Sequence, residues 1–216
     1  MKILICAATA FEFKACCAVG PGVSVICTGM GPERARASLE SYLRYCGNDV
    51  PDLIISSGFA GSLSDTLQPG DWVCTQSDFP FLIAPVKGCE VEFISSPDLV
   101  DNRYGSAFIA TAGSHKKPLA VDMESDSLGE VCKKRGIPFL GLRVISDSPQ
   151  KPFPDFLRFF ISSGSYNQRF ISLIKGLGCI IKVPSGIPHL IQMSFHARKA
   201  LKSGWLNIGK ELRTRA

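Results

Sequence analysis

Apolar positions fall in short runs along this chain, separated by glycine, proline and polar clusters. Ile3–Ala8 and Val23–Thr28 are such runs, rich in β-branched residues, and predict buried strands. After the second comes Gly29-Met30-Gly31-Pro32, where the proline suits a helix start because its missing N–H would be unbonded there anyway. From Glu33 to Tyr45 the period turns helical, with Ala35, Leu39, Tyr42, Leu43 and Cys46 on one side. Asp52–Ser57 predicts a third strand, running into Gly58-Phe59-Ala60-Gly61. Gly70-Asp71 marks a turn into Trp72–Thr75, and Ser106–Thr111 reads as another strand. Met123–Lys134 is helical in pattern and stops at Gly136-Ile137-Pro138. Phe139–Ile145 predicts a buried strand ending at Ser146-Asp147. Residues 176–188 carry the glycine and proline of a break, and Leu190–Leu201 a weakly amphipathic final helix. Strands alternating with helices predict an α/β layered domain on a largely parallel sheet.

The chain has 216 residues, 45% hydrophobic and 20% charged, the balance of a globular protein with a sizeable core. No run of 18 apolar residues occurs, which excludes a transmembrane helix. The opening MKILICAATAFEF reads as a strand rather than a signal peptide, so a cytoplasmic location is expected. Nine cysteines show neither a C-x-x-C pair nor zinc spacing, so neither a disulfide framework nor a metal site is encoded. Cys16-Cys17 reads as an exposed pair. The net charge of +5 is uneven. Residues 1–174 hold 16 Lys+Arg against 18 Asp+Glu, and residues 175–216 hold 8 against 1. A basic tail of this kind reads as a solvated helix face. It lacks the interleaved aromatics of a single-strand binder, so neither nucleic acid nor membrane is expected as a partner.

In open α/β sheets ligands bind beyond the carboxyl ends of the strands. That rule selects Thr9–Glu12, Gly29–Gly31, Gly58–Gly61, Thr111–Gly113 and Ser146-Asp147. Each has a bland reading. Gly29-x-Gly31 lacks the rest of a dinucleotide or P-loop signature. Asp122 and Glu124 suit a helix N-terminus, Asp147 suits a turn, and Glu12 suits a solvated helix start. Spacing alone leaves the chemistry open.

The segment AVDMESDSLGEVCKKRGIPFLGLRVISDSP resembles the signature of the nucleoside phosphorylase/nucleosidase superfamily, and within it the methylthioadenosine/S-adenosylhomocysteine nucleosidases. The resemblance rests on Met123, Glu124, Gly136, Pro138, Phe139, Arg143, Ser146 and Asp147. DLIISSGFAGSLSDTLQPGDWV adds Gly58, Ala60, Gly61, Gly70 and Asp71, GMGPERA adds a helix start, and MKILICAATAFEF adds Glu12. It covers residues 1–150 in order.

The resemblance implies a three-layer α/β/α sandwich with a mixed central sheet, over residues 1–175, with 176–216 as a basic C-terminal segment of unassigned role. It implies a homodimer that cleaves the N-glycosidic bond of a purine nucleoside without cofactor or metal. Asp147 would protonate the leaving base and Glu12 would deprotonate water. Glu124 would hold ribose hydroxyls, Met123 would pack under the ribose, and Gly61 and Ala60 would approach the substrate. Ser146 and Arg143 would position Asp147 and Glu124. An acid at 147 suits a 6-amino purine: methylthioadenosine, S-adenosylhomocysteine, 5′-deoxyadenosine or aminodeoxyfutalosine of menaquinone biosynthesis. The absence of an Arg near Gly58–Gly61 in the sequence favours water over phosphate. Alternatives are a phosphorylase, a futalosine hydrolase, or a ligand-binding protein without activity. Phe59 stands where the family often has a small hydroxyl residue, Asp122 where it often has Glu, and the base-stacking residue is unassigned. Phe108 resembles a family element but reads as part of its strand. The run Phe79–Ala84 is expected to line the 5′ side of the site or a dimer interface.

Overall fold

The computed structural model describes residues 1–76, 78–96, 117–150 and 186–215. Its elements are β1 (Ile3–Ala7), α1 (Ala10–Cys16), β2 (Val23–Cys27), α2 (Pro32–Tyr45), β3 (Leu53–Ser62), β4 (Trp72–Cys74), α3 (Pro80–Ile83), β5 (Cys89–Glu90), β6 (Glu92–Ser95), β7 (Leu119–Asp122), α4 (Ser125–Arg135), β8 (Phe139–Asp147) and α5 (Gly186–Thr214). The strands form one mixed sheet in the order β2-β1-β3-β8-β4-β5, with β7 on the far end of β3 and β6 beyond it. β2, β1, β3 and β8 run parallel. β4 is antiparallel to β8, and β7 antiparallel to β3.

Strand alternation divides the core into two layers of contact. Ile3, Ile5 and Ala7 of β1 face one side with Leu53 and Ile55 of β3, against Leu82, Ile83, Ala197, Leu201, Trp205 and Ile208. Leu4, Cys6 and Ile54 face the other, against Ala35, Leu39 and Leu43 of α2 and Leu128, Val131 and Cys132 of α4. Helices α1, α3 and α5 thus cover one face and α2 and α4 the other, a three-layer α/β/α sandwich. Pro32 opens α2 behind Gly31 at φ 92°. Gly136, at φ 65°, ends α4 in the left-handed conformation that glycine adopts without strain.

Several expectations change on folding. β3 does not stop at Ser57. It continues through Gly58–Gly61 to Ser62, because that stretch pairs with β8 on one side and β7 on the other. Residues 119–122 form β7, and α4 begins at Ser125 rather than Met123. Helix α1 had no clear hydrophobic period. Thr9 and Glu12 set it by a capping box. Cys16 is buried and Cys17 exposed, so they are not an exposed pair. Cys6, Cys16, Cys74 and Cys132 lie in the core, and burial pushes the Cys16 and Cys132 thiols up to about 12. Within the run Phe79–Ala84, Leu82 and Ile83 pack into the core. Ser106–Thr111, Phe108 and Thr111–Gly113 lie outside the described residues.

The final helix is 29 residues long, far beyond Leu190–Leu201. Ala197, Leu201, Trp205 and Ile208 recur at helical spacing and are buried against the sheet. Its cations Arg198, Lys199, Lys202 and Lys210 are on the exposed side. The segment that composition sets apart therefore supplies part of the core.

Candidate active site

Four carboxylates and one guanidinium are buried at the carboxyl ends of the parallel strands: Glu12, Asp122, Glu124, Asp147 and Arg143, none more than 5% exposed. Burying that many charges is costly unless each is hydrogen-bonded. The local structure shows how each is held.

Glu12 lies one turn into α1, after the end of β1. Its Oε2 accepts from the Thr9 amide at 2.8 Å and the Thr9 hydroxyl at 2.7 Å. Its Oε1 accepts from the Phe59 amide at 2.8 Å. It is not the solvated helix-start residue of the bland reading. A carboxylate offers about four lone-pair directions, so, among the described residues, one is left on Glu12 for a further partner. Gly58 makes the contact possible: a methyl group there would sit 2.2 Å from Glu12 Oε1. The sequence signals this residue only as one glycine among several. Phe59 serves through its backbone, while its ring packs against the apolar core, so the loss of a small hydroxyl residue there leaves these contacts intact.

Glu124 is the N-cap residue of α4, yet its side chain makes no cap. Oε1 accepts from the Gly31 amide at 2.9 Å, and Oε2 lies 3.4 Å from Arg143 Nη2. The Gly29–Gly31 loop thereby joins the site. Burial pushes the Glu124 carboxyl above the usual range, and Arg143 and the Gly31 N–H pull it back. Asp122, not Glu124, bonds the Ser125 amide at the helix start, at 3.1 Å. Met123, between them, is half-buried.

Arg143 comes from the middle of β8. It meets Asp122 Oδ2 at 2.6 Å through Nε, donates to Ser56 Oγ at 2.7 Å through Nη2, and to the Phe59 carbonyl at 3.2 Å through Nη1. The sequence reading saw no arginine near Gly58–Gly61. Strand pairing puts Gly58 opposite Arg143 and overturns that. Two carboxylates already neutralise this cation.

Asp147 ends β8. The β3–β8 register slips between Ala60 and Gly61, so that Ala60 pairs with Ile145 and Gly61 with Asp147. A bulge of this kind re-aims side chains at a strand end. The extra residue is Ser146, whose hydroxyl donates to Asp147 Oδ1 at 2.7 Å and lies 3.2 Å from the Ala60 carbonyl. Burial pushes the Asp147 carboxyl up to about 7, against the effect of that hydrogen bond. Next to it, the buried Ser148 hydroxyl has no partner among the described residues. The structure therefore brings Glu12, Glu124, Arg143, Ser146, Asp147, Ala60 and Gly61 to one end of the sheet, with Met123 at its edge. Sequence reasoning gave Asp122 only a place at a helix N-terminus, which it keeps, and assigned no role to Gly58, Ser56 or Ser125. The S-x-G and D-x-x-S spacings were visible, but only strand pairing shows what they touch.

Among the described residues no His, Cys, Asp or Glu cluster has the arrangement to hold a metal ion, and no helix is long and apolar enough to cross a membrane.

Residues 8–102 match the phosphorylase superfamily. A 5′-methylthioadenosine/S-adenosylhomocysteine nucleosidase of Buchnera aphidicola is 28% identical over 56% of this chain, and the match spans 61% of that relative's length. The fold is shared with the 5′-methylthioadenosine/S-adenosylhomocysteine nucleosidase of Helicobacter pylori (TM-score 0.60, 18% identity, 99% of this chain and 97% of the other). It is also shared with the futalosine hydrolase of the same organism (TM-score 0.60, 17% identity, 99% and 96%). A third example is the S-adenosylhomocysteine nucleosidase of Streptococcus pyogenes, solved with 5-methylthiotubericidin (TM-score 0.64, 16% identity, 98% and 97%). Residues 8–102 thus resemble the phosphorylase superfamily, and along almost its whole length the chain shares the fold of these nucleosidases and of the futalosine hydrolase.

Proposed function

We propose that this protein hydrolyses the N-glycosidic bond of a 5′-substituted adenine nucleoside. The observation that carries the reading is Asp147, a buried carboxyl raised to about 7 at a strand end, on the end of the sheet that also buries Glu12 and Glu124. Glycosidic cleavage leaves negative charge on the base and positive charge on the ribose. A carboxyl that keeps its proton near neutral pH can protonate purine N7 as the bond breaks. Glu12, with a lone-pair direction open, takes the proton from the attacking water. Glu124 accepts from the ribose hydroxyls and stabilises the cationic sugar. Met123 packs under the ribose, Ala60 and Gly61 let the substrate approach the backbone, and Ser146 and Arg143 hold the acids. Once its proton is shared with N7, Asp147 can accept from a 6-amino group, whereas a 6-oxo group would face a carboxylate oxygen. The nucleosidases among the relatives are named for methylthioadenosine and S-adenosylhomocysteine, which supports this substrate class; 5′-deoxyadenosine and aminodeoxyfutalosine are further members of it. A cytoplasmic homodimer needing no metal or cofactor completes the reading.

Phosphorolysis is the second reading, and Arg34 favours it: a methyl group on Gly29 would meet Arg34 Cδ at 3.3 Å, so the aliphatic stem of an exposed arginine lies against that loop. Product analysis with methylthioadenosine, in phosphate-free buffer and then with phosphate, separates the two. Free adenine with 5′-methylthioribose at an unchanged rate supports hydrolysis. A phosphate requirement with a ribose-1-phosphate product, lost in Arg34→Gln, replaces it with phosphorolysis.

A further inference from the structure

Two carboxylates share one guanidinium in this site, and they do so unevenly. Asp122 Oδ2 is 2.6 Å from Arg143 Nε, while Glu124 Oε2 is 3.4 Å from Nη2. Asp122 is itself held from several sides. Ser95 Oγ donates to Oδ1 at 3.1 Å, and the Ser125 amide and hydroxyl both donate to Oδ2. Ser125 Oγ also lies 3.3 Å from Arg143 Nε. A guanidinium is planar, with its donors in a rigid fork. Gripping its Nε edge therefore fixes where Nη2 points, and Nη2 bridges Ser56 and Glu124.

We propose that Asp122 is a positioning residue of the nucleoside site: by holding the Nε edge of Arg143 it sets where Glu124 presents its carboxylate to the ribose. The inference rests on the reading of Glu124 as the ribose-binding acid. Without the charge of Asp122, Arg143 has one carboxylate partner instead of two, and the 3.4 Å contact to Glu124 tightens. A shift of roughly half an ångström is enough to misplace a binding carboxylate.

The test compares adenosine with 2′-deoxyadenosine, which differ only in a hydroxyl available to Glu124. The wild type is expected to favour adenosine roughly 10- to 100-fold in kcat/KM, the range of a hydrogen bond to a charged acceptor. Asp122→Asn keeps the shape without the charge and lowers that preference about tenfold. Asp122→Glu keeps the charge on a longer arm and retains most of the preference. Ser125→Ala loosens Asp122 and lowers it by less. The preference for adenosine over inosine, which depends on Asp147, stays unchanged in all three, which a general loss of structure would not allow. An unaltered deoxyadenosine ratio in folded Asp122→Asn and Ser125→Ala overturns the proposal. If Asp122→Asn fails to fold, Ser125→Ala decides. If the wild type cleaves neither nucleoside nor methylthioadenosine, the hydrolase reading fails instead, and the same ratios, measured calorimetrically as binding constants, decide the role of Asp122.

Discussion

The acid cluster and the C-terminal helix are both buried, but different forces hold them. The cluster is held by directed hydrogen bonds, such as Thr9 and Phe59 on Glu12 or Ser56 on Arg143. The helix is held by shape. Trp205 meets Trp72 edge-on at a centroid distance of 6.2 Å. Gly204 leaves room for the Trp72 indole, and Gly209 lets α5 close on the Val19 carbonyl, 1.9 Å from where a methyl group would lie. The two regions touch at one polar point, where Trp205 Nε1 donates to Ser57 Oγ at 3.0 Å, one residue before Gly58. Damage to the cluster should therefore cost chemistry more than stability, and damage to the helix seat the reverse.

Asp147→Asn tests the first half most severely. An amide cannot protonate the base, so turnover should fall roughly 100- to 10,000-fold. The fold should gain. A carboxyl whose native value is raised to about 7 contributes its full share of stability only below the ordinary carboxylate range, and loses it as pH rises through about 7. The Asn variant lacks that loss. Its melting temperature should exceed the wild type by a margin that widens between about pH 4 and pH 8, and the wild-type rate should decline above about pH 7. Parallel thermal melts and pH–rate profiles check both. A variant with normal turnover removes Asp147 from the chemistry.

Glu12→Gln should block hydrolysis by a comparable 100-fold or more, because the amide cannot take a proton from water. Substrate binding, measured calorimetrically, should persist. Loss of binding together with a collapsed melting curve would instead make Glu12 chiefly the bolt between α1 and β3.

Gly209→Ala probes the other region. Alanine favours a helix over glycine by about 1 kcal/mol, but overpacking against a fixed carbonyl costs about 1–3 kcal/mol. The obstacle is backbone, so the second effect should win. Denaturant titration should show net destabilisation, while kcat per folded molecule stays near wild type. A large kcat loss at unchanged stability would show that the Trp205–Ser57 contact controls the acids directly.

Ser148→Ala is the mildest change. The buried hydroxyl has no partner among the described residues, so its removal should leave stability within about 1 kcal/mol or raise it. A larger destabilisation in urea would reveal a hydrogen bond made elsewhere in the chain.

How much of this could be read before folding depended on the range of the interactions. The apolar runs at Ile3, Leu53 and Phe139 each carry their own strand signal, because burial on both faces leaves no alternation to interpret, whereas the run at Val23, read as buried, forms an edge strand with none of its five residues buried. Glycine and proline at 29–32 and 136–138 mark helix ends through local backbone preference alone. Glu12, Glu124 and Asp147 were singled out as candidates because strand ends are where an α/β sheet exposes its chemistry, and because the motifs around them are contiguous. By itself the sequence determined the layered α/β class, the parallel core and the candidate acids. Tertiary structure decided the rest. It buried Glu12 against Phe59, 47 positions away, and brought Arg143 beside Gly58 by strand register. It gave Asp122 a cation to hold and turned a basic tail into a wall of the core. Those contacts join residues far apart in the chain, and no local periodicity encodes which distant surface a side chain will meet. They arise only when sheet register and helix packing bring the partners within hydrogen-bond reach.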